Sequence, residues 1–147
     1  MIEKCTLVSS ASRWSTDWFT VFYRSMLKQE FRDGIAKAIK RNGHNTTVDE
    51  VLQGIESGKL VLYSSANSCL VGAYEDGPNG LEGYGIYVAG TLKELVSEVI
   101  PQAEHDARKR GAKRIYQYGF KGYQRVLNKL GFRLKTVLMQ KELADVR

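Results

Sequence analysis

Two cysteines, two histidines and two prolines are all that this chain of 147 residues holds of the residue types that most often make disulfides, metal sites and chain breaks. Cys5 and Cys69 stand far apart and no Cys-x-x-Cys occurs, so neither a disulfide framework nor a metal site is expected, and both thiols read as reduced packing residues. No apolar run approaches the ~18 residues of a membrane span, and Met1 to Ser10 lacks the basic start and apolar core of a signal peptide. The expectation is a soluble, unsecreted protein of the cytoplasm.

What is present is a globular composition. With 43% hydrophobic residues the chain can bury a core, and its length suits a single domain over residues 1–147. The formal net charge is +6 and it is unevenly placed. Between Arg108 and Lys135 stand ten Lys or Arg residues and no Asp or Glu. One end of the fold should therefore be basic, a face that suits nucleic acid, a phosphorylated cofactor or an acidic protein, or that is simply solvated.

Taken in order, Cys5-Thr-Leu-Val8 reads as a first strand. Ser15 or Thr16 can cap a helix in which Trp18, Phe22, Met26 and Leu27 recur toward Phe31, then Ile35, Ala38 and Ile39, until Asn42-Gly43 stops it. Thr47 with Glu50 forms a capping box before Val51, Leu52 and Ile55, and Gly58 ends that short helix. Two β-prone runs, 59–64 and 69–74, are joined by Ser65-Ala-Asn-Ser68, and a third strand follows the turn Gly77-Pro-Asn-Gly80, giving an antiparallel meander. From Leu92 a helix presents Leu92, Leu95, Val96, Val99, Ala103 and Ala107 on one side. Pro101 should kink it or split it into two abutting helices. Ile115 lies in a short strand. A helix from Lys121 buries Tyr123, Val126, Leu127 and Leu130 and places Lys121, Arg125 and Lys129 along another face. Leu134 to Gln140 reads as a closing strand, whose free edge would suit dimerisation. The fold class is α/β (α+β): N-terminal helices, hairpin strands, then β-α-β-α-β on a mixed sheet.

This order of elements resembles the GNAT family, the Gcn5-related N-acetyltransferases. The short helix and hairpin over 47–74, Ala107-Arg-Lys-Arg-Gly-Ala-Lys-Arg-Ile115 and Leu127-Asn-Lys-Leu-Gly-Phe132 carry the resemblance. The Gly122-Tyr-Gln-Arg-Val-Leu127 block is similar to phage and prophage proteins of GNAT type, a group that includes internal virion proteins. The resemblance implies that acetyl-CoA binds by its pyrophosphate at Val88, Ala89, Gly90, Thr91 and Leu92, where the family's Arg/Gln-x-x-Gly-x-Gly/Ala loop lies. Here that stretch has one glycine and no Arg or Gln at its start. The family's proton-donating tyrosine, five residues before the Gly-Phe phenylalanine, is replaced by Leu127. Tyr123, one turn earlier, could substitute with a rotated helix or a shifted cofactor. Glu82 is the candidate base, ahead of Tyr84 and Glu75.

Because both departures fall on catalytic parts, the first reading is a degenerate GNAT-like protein that binds a virion or host protein partner. The first alternative is an acetyl-CoA-dependent N-acetyltransferase acting on an amine. The second is nucleic-acid binding through Arg108, Lys109, Arg110, Lys113, Arg114, Lys121, Arg125 and Lys129, with Tyr116 and Tyr118 stacking on bases.

Overall fold

A computed structural model describes residues 29–118, 121–136 and 138–143. The expected strand at Cys5–Val8, Cys5 itself and the aromatic stretch from Trp14 to Tyr23 lie outside the described residues.

Helix α1, Gln29–Asn42, buries Phe31, Ile35, Ala38 and Ile39 along one stripe. It stops where expected: Gly43 adopts φ 68°, and the His44 amide donates back to the Ile39 carbonyl at 3.1 Å. Helix α2, Val48–Ser57, begins at Thr47, whose hydroxyl accepts the Glu50 amide, and ends at Gly58 with φ 84°. The capping box is only half made, because the Glu50 carboxylate takes the Thr46 hydroxyl at 2.8 Å.

Strands β1 (Val61–Ser64), β2 (Cys69–Gly77) and β3 (Gly80–Ala89) form the antiparallel meander, and β4 (Arg114–Gln117) joins β3 in parallel, for a sheet order β1-β2-β3-β4. Side chains alternate across the sheet and divide its core in two. Leu62, Cys69, Val71 and Tyr87 pack on α1 and α2. Val61, Tyr63, Leu70 and Val88 pack on Leu95 and Val99 from the helical segment after β3. Cys69 is buried within the first of these clusters.

Pro101 acts upstream of its own position. The segment runs as α3 (Leu92–Glu94), a π turn (Leu95–Val99) and α4 (Ile100–Lys109), and the Ile100 amide reaches the Leu95 carbonyl instead of the one four residues back. A π turn absorbs the missing amide and the ring clash without breaking the rod. It also rotates the residues of α4, so Ile100 and Gln102 are buried alongside Leu95, Val99 and Ala107.

Two expectations near the end are corrected. The last helix is a 3₁₀ turn, Lys121–Tyr123, followed by α5, Gln124–Lys129; it buries no residue fully, and Leu130 is 37% exposed. The closing strand does not form among the described residues: 133–136 and 138–143 join no ladder, and Leu134, Leu138 and Met139 are exposed. Val126 and Leu127 are half-buried. Among the described residues no helix is long and apolar enough to cross a membrane.

Candidate functional site

Two irregularities in β3 coincide. The parallel ladder to β4 ends at Gly85↔Gln117, with the Tyr118 amide and the Gln117 side-chain amide both donating to the Gly85 carbonyl. On the other side the register to β2 jumps from Gly72↔Gly85 to Val71↔Tyr87, which leaves Ile86 as the extra residue of a β-bulge. Beyond Gly85, β3 therefore has an edge that β4 does not pair among the described residues. Side chains from the end of α1 reach it: Asn42 donates to the Ile86 carbonyl at 3.0 Å and Arg41 to the Val88 carbonyl at 3.4 Å.

An open groove of about 440 Å³ lies beside this edge, between the α1–α2 connection and the sheet, lined by His44, Thr46, Glu50, Leu60, Ile86 and Tyr87 among others. His44 Nδ1 and the Tyr87 hydroxyl are 2.8 Å apart and their rings meet edge to face. Tyr87 is only 6% exposed, and burial pushes its hydroxyl pKa up, so the phenol stays protonated at neutral pH. Neither residue was singled out from the sequence; the one available signal was that the Asn42-Gly43 stop fixes a histidine immediately after a helix.

The stretch Val88 to Leu92 is occupied by the protein itself. Gly90 sits at φ 110°, and a Cβ there would run into Ser68 Oγ and lie 2.5 Å from the Asn67 carbonyl oxygen. The Thr91 amide donates to Ser68 Oγ at 2.9 Å. Glu94 then lays its carboxylate over the helix start, accepting from Ser65 Oγ at 2.9 Å, the Asn67 amide at 3.1 Å and Thr91 Oγ1 at 3.1 Å. These donors, the Ser65 hydroxyl first, hold the Glu94 carboxyl below its ordinary pKa. Val88 and Ala89 are the last strand residues before the turn, and Leu92 opens the helix.

Glu82 is 8% exposed on β3, opposite Glu75 and Arg114 in the register, and its Oε2 is buried without a hydrogen-bond donor. Its other oxygen crowds Gly77 in the β2–β3 turn, so the carboxylate points away from the bulge. Tyr123 packs against the Val61–Val99 cluster, on the sheet face opposite α1 and α2. The two candidate acid–base residues are thus not brought together. Tyr84 stacks on Tyr116 at 5.1 Å and on Tyr118 at 6.4 Å between centroids.

The basic residues separate into two kinds. Arg108 faces Glu104 at 3.6 Å, and Arg110 binds Asp106 at 2.9 Å while its guanidinium covers the Tyr74 ring. Asp106 also accepts the Tyr63 hydroxyl, which is 2.7 Å from that of Tyr74. Lys109, Lys113, Arg114, Arg125 and Lys129 are exposed; of Lys121 only the backbone is described. Among the described residues no cluster of His, Cys, Asp or Glu could hold a metal.

No protein-family model matches the sequence, and no curated protein does either. Solved structures do match. A glucosamine-6-phosphate N-acetyltransferase from Arabidopsis thaliana superimposes with a TM-score of 0.56 at 16% identity, over 80% of this chain and 95% of that one. An aminoglycoside acetyltransferase from an uncultured soil metagenomic sample gives 0.58 at 14% identity, over 84% and 92%. A GCN5-related N-acetyltransferase from Ralstonia eutropha gives 0.54 at 13% identity, over 98% and 95%. The resemblance to virion proteins drawn from Gly122 to Leu127 has no counterpart among these neighbours. In its meander, its parallel β4 and its helices on both faces, the chain has the GNAT fold of these acetyltransferases.

Proposed function

We propose that this chain transfers an acyl group from an acyl-coenzyme A thioester to an amine. The observation that carries the reading is the opening beyond Gly85↔Gln117, where the bulge at Ile86 leaves a strand edge beside a groove. Enzymes described as acetyltransferases share the fold, which lends support without fixing a substrate.

An acyl-CoA presents a thin arm with amide groups and a charged diphosphate, and the two are tested separately. The edge suits the arm: the Ile86 and Val88 carbonyls are held by the side chains of Asn42 and Arg41, which can give way to donors on a ligand. The turn at Gly90-Thr91 does not suit a diphosphate as it is folded, because Ser68 takes the Thr91 amide and the Glu94 carboxylate would repel the charge. Arg41, which already reaches the end of β3, is the cation assigned to that charge. When bound, the donor supplies an activated acyl carbonyl. The chain itself orients the arm along β3 and neutralises the phosphates through Arg41. It receives the acceptor in the groove between the α1–α2 connection and Tyr87.

Isothermal titration of acetyl-CoA and CoA into the purified protein tests this. Saturable binding near one site per chain is expected, weakened about tenfold by Arg41→Ala, a loss of about 1.4 kcal/mol. Absence of binding at millimolar ligand would overturn the reading and leave a scaffold that works by binding a macromolecule.

A further inference from the structure

Building on the transferase reading, we infer that His44, held by Tyr87, is the base that takes the proton from the acceptor amine. Three observations converge on this ring. It is anchored, since His44 follows the glycine stop of α1 and its amide is tied to the Ile39 carbonyl. It is oriented, since Nδ1 lies 2.8 Å from the hydroxyl of Tyr87, itself fixed in the α1–α2 core. It is placed, since His44, Tyr87 and the bulge residue Ile86 line the same groove.

The alternative base is less well placed. Glu82 stands four residues before Ile86, about 13 Å along an extended strand, and its carboxylate is sealed against the β2–β3 turn. In the tautomer whose Nδ1–H donates to the Tyr87 oxygen, His44 keeps its lone pair on Nε2 in a ring that lines the groove, and imidazole is the side chain suited to proton transfer near neutral pH. As the amine nitrogen forms its bond to the acyl carbon, the carbon–sulfur bond breaks and the nitrogen gives one proton to Nε2. His44 returns that proton to solvent, and the departing thiolate takes one from solvent, so an amine and a thioester become an amide and a thiol. Glu50 gives the groove a carboxylate wall, which attracts acceptors that arrive as ammonium ions; such an acceptor first gives one proton to solvent, because only the neutral amine can attack, and the step above then applies to the amine. Tyr87 is a positioning residue that acts through the ring.

The test measures acetyl transfer from acetyl-CoA to three primary amines, a polyamine, an amino sugar and a lysyl peptide, across pH, for wild type, His44→Gln and Tyr87→Phe. The ionisable groups that line the groove with the ring are Glu50 on α2 and the Tyr87 phenol on β3, and Lys40 and Arg41 stand in the last turn of α1 just before it. None of them changes in His44→Gln, so a change in the acid limb reports the imidazole. His44→Gln should lower kcat/KM about 10²- to 10³-fold and abolish the acid limb, with the CoA titration unchanged. Tyr87→Phe should move that limb while lowering the rate about tenfold. An unaltered pH profile in His44→Gln with a rate within about threefold of wild type overturns the inference and leaves the transferase reading standing. CoA binding by the wild type without turnover of any of the amines overturns it too. Failure of wild type to bind CoA at all is the separate result that removes the transferase reading beneath it.

Discussion

Ser65 and Glu94, far apart in the chain, meet at 2.9 Å and tie the β1–β2 turn to the start of the helix after β3. The same carboxylate caps its own helix through Thr91, so one acidic side chain closes the turn between β3 and the helix that follows it.

Replacing Glu94 by Gln should therefore act on stability and on binding in opposite directions. The folded-state pKa of Glu94 is depressed by the Ser65, Asn67 and Thr91 donors. Its stabilising effect is present above the carboxyl pKa of the unfolded chain, about 4.3, and is lost as pH falls through the folded value. Denaturant titrations should show Glu94→Gln less stable than wild type at neutral pH, with the gap closing under acid. In the same variant CoA should bind as tightly as in wild type or more tightly. A large loss of CoA affinity would mean that the carboxylate assists the ligand instead of excluding it.

Gly90 makes the same turn necessary from the backbone side. Gly90→Ala would need a left-handed φ and would drive a methyl group into Ser68 and the Asn67 carbonyl. The cost should be about 3 kcal/mol, near the upper end of ordinary substitutions. Thermal denaturation checks it. A change of less than about 1 kcal/mol would show that the turn can open without loss.

The elements that were legible in the sequence are those with strong local signals. Thr47 with Gly58 bounded α2, and Gly77-Pro-Asn-Gly80 separated two strands that pair as expected. Pro101 announced a disturbance, but its form, a π turn at Leu95–Val99, depends on how the rod packs against the sheet. The alternation from Leu134 to Gln140 argued for a strand, yet period alone does not provide a neighbour to pair with. The bonding around Val88 to Leu92 was not legible in the sequence, because Ser68, which takes the Thr91 amide, and Ser65, which binds Glu94, come from a distant hairpin. His44 and Tyr87 were missed for the same reason: they are separated in sequence and meet only when α1 crosses β3.

On the opposite face of the sheet, the Tyr63 hydroxyl donates to Asp106 at 2.5 Å beside Tyr74, and Arg110 completes the cluster. Burial first, then the hydrogen bond to Asp106, pushes the Tyr63 pKa far above the usual tyrosine value of 10.0. A raised folded-state pKa gives stability that is whole below the unfolded value and is lost as pH climbs past it, because the unfolded chain ionises while folded Tyr63 keeps its proton. Wild type should therefore lose stability steeply above about pH 10, and Tyr63→Phe should lose it less steeply. At neutral pH the order reverses. Removing the hydroxyl takes one hydrogen-bond partner from Asp106, which keeps Arg110, and one from Tyr74, both of them half-buried, a cost of about 1 kcal/mol. Urea unfolding at neutral pH and at two alkaline values separates these effects. Parallel pH slopes for the two proteins would show that Tyr63 ionises freely in the folded state and that the cluster is not the constraint the geometry describes.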